Sequence, residues 1–352
     1  MPGSAKRVRV GLFASERTSA SGLFGLYDVL SSVGVGWESF VTGEPEMPRF
    51  EVQIIAARGE PFRCASGNLV TPDAALHQVA QTDIVVFPGV FASASQPLGK
   101  SDAETFAWIH DIHGRGVRLV GACTGALYLA EAGLLDGVEA TTHWAYEGLF
   151  RAHYPKVRLR LEKNLCFADA NDGVVTSGGT TAWQELALFL ITNYLGVEQA
   201  VRAAKLWLLP DQGELQAPFR AMPLGIPHSD ADVRRCQVWI ADNYTVENPV
   251  TSMIEYSGLA PTTFARRFRR ATGYSPMGYI QAVRVEESKQ MLETSNESVE
   301  SVGFAVGYED TASFRRLFKR KTGLNPGDYR RMFGRDRFRR YARFKRRSLD
   351  AS

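Results

Sequence analysis

The stretch FARRFRRATGYSP at residues 264–276 recurs as FRRLFKRKTGLNP at residues 314–326, an offset of 50 residues. Seven of the thirteen aligned positions are identical, including two phenylalanines and a Thr-Gly pair. In each copy the phenylalanines lie four residues apart, and so do two arginines, so a helix would carry them on separate faces. A repeat of this period indicates a duplicated supersecondary unit.

Each copy follows a segment that ends in glycine, VTSMIEYSG at 250–258 and VESVGFAVG at 299–307. A helix, a glycine turn and a basic second helix are typical of a helix-turn-helix whose second helix enters a major groove. One copy alone is also compatible with an ordinary helical hairpin, whereas two copies favour DNA recognition. Residues 276–293 predict one connecting helix of about 27 Å at ~1.5 Å per residue, near the ~34 Å repeat of DNA.

Charge is distributed unevenly along the 352 residues, whose formal net charge is +3. Residues 1–229 contain 18 Lys and Arg against 23 Asp and Glu, and residues 230–352 contain 23 against 15. The basic half indicates a polyanionic partner, with a solvated basic surface as the alternative. The hydrophobic content of 45% excludes a wholly disordered, collagen-like or coiled-coil chain.

Other sequence signals restrict the class of protein further. The sequence contains no run of 18 apolar residues, so no membrane span is expected, and no secretory signal is recognised. The four cysteines form no CxxC pair, which suits a reducing cytoplasm and argues against a disulfide framework or a zinc finger; they are Cys64, Cys123, Cys166 and Cys236. We therefore expect a cytoplasmic protein with no membrane association, no metal and no cofactor.

The N-terminal half alternates strand and helix patterns. Apolar runs at 50–57 and 83–90 predict strands, and residues 23–33 predict a helix. Such alternation implies a flavodoxin-like α/β domain, with a mostly parallel sheet covered by helices on both faces. The C-terminal half is predicted to be all-α, with two helix-turn-helix units.

A stretch rich in proline and glycine separates these halves. Pro218, Pro223, Gly225 and Pro227 mark a linker that cannot continue a helix. The expected domains are a sensor domain, a linker, a DNA-binding domain and a basic tail, at residues 1–215, 216–231, 232–333 and 334–352. Residues 330–347, which lead into this tail, contain ten Arg or Lys and one acid, which predicts either a phosphate-attracting arm or a solvated tail without a role.

The sharpest local motif of the first half is GACTG at residues 121–125. A G-x-nucleophile-x-G sequence between an apolar strand and a helix is typical of a nucleophile elbow, which would place Cys123 near a helix N-terminus and lower its thiol pKa. A small buried cysteine in a tight turn is the alternative. His143 in ATTHW is a candidate proton acceptor, although a hydrogen bond to a neighbouring loop is the favoured interpretation.

The first half resembles the class I glutamine amidotransferase-like domain of the ThiJ/PfpI superfamily over about residues 8–200. The resemblance rests on FPG at 87–89, GACTGALYLAEAGLLDG at 121–137, ATTHW at 140–144 and VVTSGGTTAWQELALFLI at 174–191. It identifies Cys123 with the family's elbow cysteine. It implies a small-molecule pocket formed by Gly89, Cys123, Thr124 and His143.

Enzymes of this superfamily, such as the isonitrile hydratases, also carry an acidic residue near the end of the first strand or in the helix after it. Ser21, Gly22 and Leu23 occupy the corresponding stretch, between Glu16 and Asp28. This departure argues against enzymatic activity, so no catalytic residue is assigned and Cys123 stays only a candidate nucleophile.

The second half resembles the AraC/XylS DNA-binding domain over about residues 232–333. The resemblance rests on SGLAPTTFARRFRRATGYSPMGYIQAVRVEESKQML and VESVGFAVGYEDTASFRRLFKRKTGLNPGDYR. It implies base contacts from the early exposed face of each recognition helix: Thr262, Ala265 and Arg266 in the first copy, and Thr311, Ser313, Arg315 and Arg316 in the second. Ala265 is a departure, because a methyl group reaches at most a thymine methyl. Phosphate contacts are expected from Arg269, Arg270, Lys319 and Arg320.

Together the two resemblances imply a sequence-specific transcriptional regulator, expected to be an activator that a small effector controls. The expected partners are double-stranded promoter DNA, an amino acid or amine effector, a second copy of the chain and RNA polymerase. Two alternatives stay open: a cysteine-dependent hydrolase or hydratase fused to a DNA-binding module, and a redox sensor acting through Cys123.

Overall fold

The computed structural model describes residues 7–41, 43–44, 46–99, 102–168, 173–209, 217–219 and 228–335. The chain divides into two compact units, Met1–Gln216 and Ala217–Ser352. The predicted linker residues Pro223, Gly225 and Pro227 and most of the predicted basic tail, from residue 336 onward, lie outside the described residues.

The strands of the first unit are short and mostly buried. In chain order they are β1 (Val8–Ala14), β2 (Phe50–Ala56), β3 (Phe62–Arg63), β4 (Leu69–Val70), β5 (Ala74–Ala75), β6 (Ile84–Phe87), β7 (Arg118–Ala122), β8 (Glu139–Ala140), β9 (Arg158–Leu159), β10 (Leu165–Phe167) and β11 (Val174–Ser177). Seven of them form the main sheet, in the order β10-β11-β7-β6-β1-β2-β5. The strand predicted over 83–90 is shorter because Pro88 and Gly89 lie beyond the ladder.

The main sheet is parallel except at one edge. β1 pairs in parallel with β2 on one side and with β6 on the other, and β10 alone runs antiparallel, to β11. The prediction of a mostly parallel sheet is confirmed. The strand order reverses at β1, so the carboxyl ends of β1 and β6 border the crevice where open α/β sheets bind ligands.

Helices cover both faces of this sheet, as predicted. They are α1 (Ala20–Ser31), α2 (Gly36–Val41), α3 (Ala103–Gly114), α4 (Ala126–Glu131), α5 (Glu147–His153), α6 (Trp183–Leu195) and α7 (Val197–Trp207). Successive strand side chains point to opposite faces. Leu12 of β1 therefore packs in a core with α1, α6 and α7, whereas Phe13 packs in a second core with α3, α4 and α5.

The second unit is helical over its described residues. Its helices are α8 (Ala231–Asn243), α9 (Pro249–Ser257), α10 (Pro261–Thr272), α11 (Pro276–Thr294), α12 (Val299–Ala305), α13 (Thr311–Thr322) and α14 (Pro326–Phe333). The starts of α9, α10 and α11 are separated by 50 residues from those of α12, α13 and α14. The duplication predicted from the sequence is confirmed.

The two copies agree in their local chemistry. The predicted recognition helices are α10 and α13, and each ends at a left-handed glycine, Gly273 at φ +76° and Gly323 at φ +77°. The Thr272 hydroxyl donates to the Phe268 carbonyl at 2.8 Å, and the equivalent bond in the second copy is 2.9 Å. The paired phenylalanines of each copy are buried in separate cores. The connecting helix α11 has 19 residues, about 28 Å at ~1.5 Å per residue.

No helix among the residues described above is long and apolar enough to cross a membrane.

Candidate functional site

The predicted elbow lies at the carboxyl end of β7. Cys123 has φ +56°, a left-handed conformation that non-glycine residues adopt at a cost of about 1–3 kcal/mol. A Cβ on Gly125 would lie 1.9 Å from the Phe87 carbonyl oxygen, and a Cβ on Gly121 would lie 2.7 Å from the Ala126 Cα. Both positions therefore require glycine, and the cramped turn predicted from the motif is confirmed.

The electrostatics of the elbow thiol differ from the prediction. Cys123 is 8% exposed, and burial raises the pKa of its thiol to about 11. Hydrogen bonds from Thr124 and Thr180 favour the thiolate, but they do not offset the loss of solvation. The predicted lowering of the thiol pKa is wrong, because desolvation outweighs the nearby N–H and O–H dipoles. A protonated thiol is a weak nucleophile.

Thr124 holds a loop in place. Its buried hydroxyl donates to the Val90 carbonyl oxygen and accepts from the Val90 N–H, both at 2.6 Å. Val90 also forms an antiparallel bridge with Thr18, just beyond β1. Thr124 lies in the pocket wall, as its predicted role requires, but its hydroxyl is engaged by the loop that follows β6.

In the part of the chain that the structure describes, His143 makes a hydrogen bond within its own loop, and not with the neighbouring loop that was predicted. Its Nδ1 accepts a hydrogen bond of 3.1 Å from the Ala145 N–H, within its own loop. Burial lowers its pKa, and its ring centroid lies 5.1 Å from that of Trp144. No hydrogen bond joins His143 to Cys123 among the described residues, so the structure gives no support to a thiol–imidazole pair.

A cavity of about 170 Å³ adjoins the elbow and brings together the four predicted pocket residues, Gly89, Cys123, Thr124 and His143. Its other walls are Ser19, Gly22, Val90, Phe91, Ala122, Ala145, Tyr146, Thr180 and Trp183. None of these residues is ionised at neutral pH, and neither Glu16 nor Asp28 is among them. Within the described part of the chain, no group of three His, Cys, Asp or Glu side chains is placed to hold a metal ion.

The aromatic walls of this cavity were not predicted. Tyr146 donates from its hydroxyl to the Ala92 carbonyl at 2.6 Å. Trp183 lies against Gly25 of α1, where a Cβ would be 2.6 Å from the indole ring. Trp183 follows β11 of the main sheet, whereas Tyr146 follows β8 of a separate two-stranded sheet. The convergence of strand ends in a parallel sheet was the signal that could have found Trp183.

The recognition helices present most of their predicted DNA contacts to solvent. Thr262, Ala265 and Arg266 of α10 are exposed, as are Arg315 and Arg316 of α13, whereas Thr311 and Ser313 are half-buried. The predicted phosphate contacts Arg269, Arg270, Lys319 and Arg320 are exposed as well. These placements are compatible with the expected roles, which stay predictions.

The exposed arginines of the two copies differ in their contacts. Arg315 donates from Nη2 to a Glu300 carboxylate oxygen at 2.6 Å. Arg316 donates from Nη2 to the Ser313 hydroxyl at 3.0 Å. Arg266 has no ion pair with any residue that the structure describes, so its full charge faces solvent.

Two further arginines organise this unit and were missed from the sequence. Arg267 of α10 binds both carboxylate oxygens of Asp230, at 2.8 and 2.6 Å, and also binds Asp232 at 2.9 Å. Asp230 in turn caps α8 by accepting from the Val233 N–H. Arg284 of α11 donates hydrogen bonds to the carbonyl oxygens of Tyr244 and Gly307. Both arginines join segments 23 to 40 residues apart, which no local pattern reveals.

A cysteine elbow at the carboxyl end of β7 in a mostly parallel sheet, followed by two helix-turn-helix units, defines a DNA-binding regulator fused to an amidotransferase-like domain. The DJ-1/PfpI family model matches residues 8–193, and a helix-turn-helix domain model matches residues 253–332. The chain belongs to the DJ-1/PfpI family, and its second unit is an AraC-type helix-turn-helix domain.

Curated relatives agree with this assignment. The HTH-type transcriptional regulator CdhR of Pseudomonas aeruginosa is 27% identical over 285 residues, covering 79% of this chain and 80% of that protein. The HTH-type transcriptional regulator GlxA of Rhizobium meliloti is 27% identical, covering 62% and 67%. The isonitrile hydratase of Pseudomonas putida is 28% identical, covering 55% and 75%. The proteins similar to this chain thus include an enzyme as well as regulators.

Proposed function

We propose that this chain is a transcriptional activator whose affinity for promoter DNA is controlled by a small effector bound beside Cys123. The observation that carries the proposal is the cavity at the elbow, in the same chain as two helix-turn-helix units. Effector binding changes DNA binding only through different affinities for two states of the protein. A second copy of the chain and RNA polymerase are the proposed protein partners.

The pocket acts in this proposal by binding and not by catalysis. The Cys123 thiol is protonated at neutral pH because its pKa is raised to about 11. No carboxylate lines the cavity, and His143 is engaged by its own loop. A nucleophilic mechanism needs a positioned base or an acidified thiol, so these features support an effector pocket over a hydrolase or hydratase site.

The cavity restricts the effector in size and chemistry. A cavity of about 150 Å³ holds benzene, so about 170 Å³ suits a compact molecule of similar or slightly larger size. Phe91, Tyr146 and Trp183 offer ring faces that attract an ammonium group. The Ser19 hydroxyl in the cavity wall can donate to an anionic or carbonyl oxygen. An amino acid or a small amine meets both conditions.

The DNA site is proposed on α10 and α13. Arg266 and Arg316 are proposed to donate to guanine O6 and N7, and Thr262, Thr311, Ser313 and Arg315 complete the predicted base-reading set. The exposed cations near the end of each helix supply phosphate attraction. These roles rest on the AraC-type assignment of the unit and, except for the half-buried Thr311 and Ser313, on the exposed faces described above.

The test is enrichment of genomic DNA fragments on the purified full chain at near-physiological salt, with and without fractionated metabolite pools. A shared sequence in a few promoters, with recovery that depends on one pool, supports the proposal. Trp183→Ala removes an aromatic wall and is expected to abolish the dependence on the pool while keeping the sequence preference. Trp108→Ala removes an indole that does not line the cavity and is expected to keep both.

If the recovered DNA fragments share no common sequence in the presence of any of the metabolite pools, the proposal is refuted. A shared sequence that no pool affects would leave a DNA-binding regulator and refute effector control by small metabolites.

A further inference from the structure

The structural register of the two helix-turn-helix copies allows a position-by-position comparison. Position 315 of α13 corresponds to position 265 of α10, and position 300 of α12 corresponds to position 250 of α9. The second copy has Glu300 and Arg315 at these sites, joined by an ion pair. The first copy has Val250 and Ala265 instead. Both members of the pair are present in one copy and both are absent from the other.

The two positions differ in environment as well as in charge. Val250 is half-buried and packs against the first core of this unit, so it has a packing role there. Glu300 and Arg315 are about half exposed, at 50% and 53% of their side-chain surface. An exposed ion pair contributes little to folding stability. A role in recognition therefore accounts better for this pair.

We propose that Glu300 is a specificity-determining residue that directs Arg315 to a base edge and away from phosphate. The proposal rests on the proposed placement of α13 in a major groove. A guanidinium has five N–H donors, and the contact with Glu300 is made through Nη2. Arg315 can therefore bind Glu300 and a guanine edge at the same time.

Electrostatic repulsion supplies the discrimination. A phosphate that approaches Arg315 also approaches the Glu300 carboxylate, and the two like charges repel. Guanine O6 and N7 are neutral acceptors and meet no such repulsion. A repulsive element of this kind raises specificity by weakening the wrong complex. Arg316, whose contact is the neutral Ser313 hydroxyl, keeps its attraction for both groups.

The experiment compares wild-type full chain with Glu300→Gln on two duplexes. One is the best sequence from a selection on randomised duplex DNA, and the other is a scrambled duplex of the same length and base composition. We expect Glu300→Gln to bind the scrambled duplex about two- to fivefold more tightly. For this duplex, the slope of log affinity against log salt concentration is expected to become steeper by about one. Affinity for the selected duplex is expected to change less, so the ratio of the two affinities falls.

Two controls separate the pair from net charge and from folding. Glu297→Gln removes the same charge from an exposed side chain three residues away and is expected to leave the ratio unchanged. Arg315→Ala is expected to reduce affinity for the selected duplex about 5- to 100-fold. In the Arg315→Ala background, Glu300→Gln is expected to have no effect on the scrambled duplex.

The possible failures are distinguishable. If Arg315→Ala weakens selected binding while Glu300→Gln leaves the ratio of affinities unchanged, the discriminating role of Glu300 is overturned and α13 keeps its place on DNA. If Arg315→Ala and Arg316→Ala both leave affinity unchanged, the placement of α13 fails and the proposal fails with it. A ratio that falls equally in Glu297→Gln assigns the effect to net charge and also overturns the proposal.

Discussion

The guanidinium of Arg284 donates from Nε to the carbonyl oxygen of Tyr244 at 2.7 Å, which joins the connecting helix α11 to the end of α8. Nη1 of the same side chain donates to the Gly307 carbonyl, in the turn between α12 and α13, at 3.0 Å. The guanidinium also lies 5.2 Å from the centre of the Tyr308 ring. One side chain thus fixes the end of α8 and the turn of the second helix-turn-helix copy to the helix that connects the two copies.

This contact leads to a prediction about binding at two half-sites. Arg284→Lys keeps the charge but loses the planar fork that reaches two carbonyls. We expect affinity for a full selected site to fall about tenfold while affinity for a duplex with one half-site changes less than about twofold. Arg234→Lys, on an exposed arginine of α8 that also binds a carbonyl, is the matched control. An equal loss on both duplexes would indicate general destabilisation and would contradict the positioning role.

The elbow predicts a large effect of one methyl group. In Gly125→Ala the new Cβ meets the Phe87 carbonyl oxygen at 1.9 Å, a backbone atom that cannot move aside cheaply. We expect the free energy of unfolding of the first unit to fall by about 1–3 kcal/mol or more. Gly148→Ala, in helix α5 with open space around its Cα, is expected to raise it by about 0.5–1 kcal/mol. Denaturant unfolding measures both, and equal effects would contradict the geometry of the elbow.

The ion pair between Asp230 and Arg267 predicts a pH dependence of stability. The hydrogen bonds from Arg267 lower the pKa of Asp230 to about 2, below the ordinary aspartate value of about 3.9. A lowered carboxylate pKa stabilises the folded state above the unfolded-state pKa, and this contribution is lost as the pH falls from about 5 to about 2.

Asp230→Asn keeps a side chain that can cap α8 and removes the titration. We expect it to lower the stability of α8 and α10 at neutral pH and to make that stability depend less on pH between 5 and 2. Amide hydrogen exchange over this pH range measures both effects. Asp242→Asn, on the exposed face of α8, is the control and is expected to follow the wild-type slope. An Asp230→Asn profile parallel to wild type would show that this pair does not contribute.

The buried elbow thiol predicts slow alkylation. Because burial raises the pKa of Cys123 to about 11, its thiolate fraction increases about tenfold per pH unit throughout the range from 7 to 10. Peptide-resolved mass spectrometry after iodoacetamide treatment of the native chain measures the rate. A rate that levels off near pH 8 would contradict the raised pKa and would revive the redox-sensor alternative. We also expect Cys123→Ser to keep effector-dependent regulation in a reporter strain.

Local patterns accounted for much of this molecule. The 50-residue repeat predicted both helix-turn-helix units because paired phenylalanines and a left-handed glycine recur at fixed spacing. The GACTG motif predicted the elbow because its glycines meet backbone atoms that leave no room for a Cβ. These features depend on neighbours in sequence or on a spacing that sequence displays directly.

Other features depended on residues that only the tertiary fold brings together. The prediction of a lowered thiol pKa was wrong because this pKa depends on how completely the surrounding loops exclude water from Cys123. Trp183 reaches the cavity because Gly25, far away in sequence, leaves space for its ring. The Glu300–Arg315 contact spans 15 residues and two helices, and the sequence showed only that both charges were present.

The most direct test of the central claim is the affinity of the double variant Arg266→Ala/Arg316→Ala for the selected promoter site. We expect a loss of about 2–6 kcal/mol in specific binding free energy, at about 1–3 kcal/mol for each arginine, with weaker but persistent binding to scrambled DNA. Arg151→Ala/Lys156→Ala removes two positive charges from the first unit and is expected to bind the site as wild type does. Unchanged specific affinity in the Arg266→Ala/Arg316→Ala protein would contradict the account.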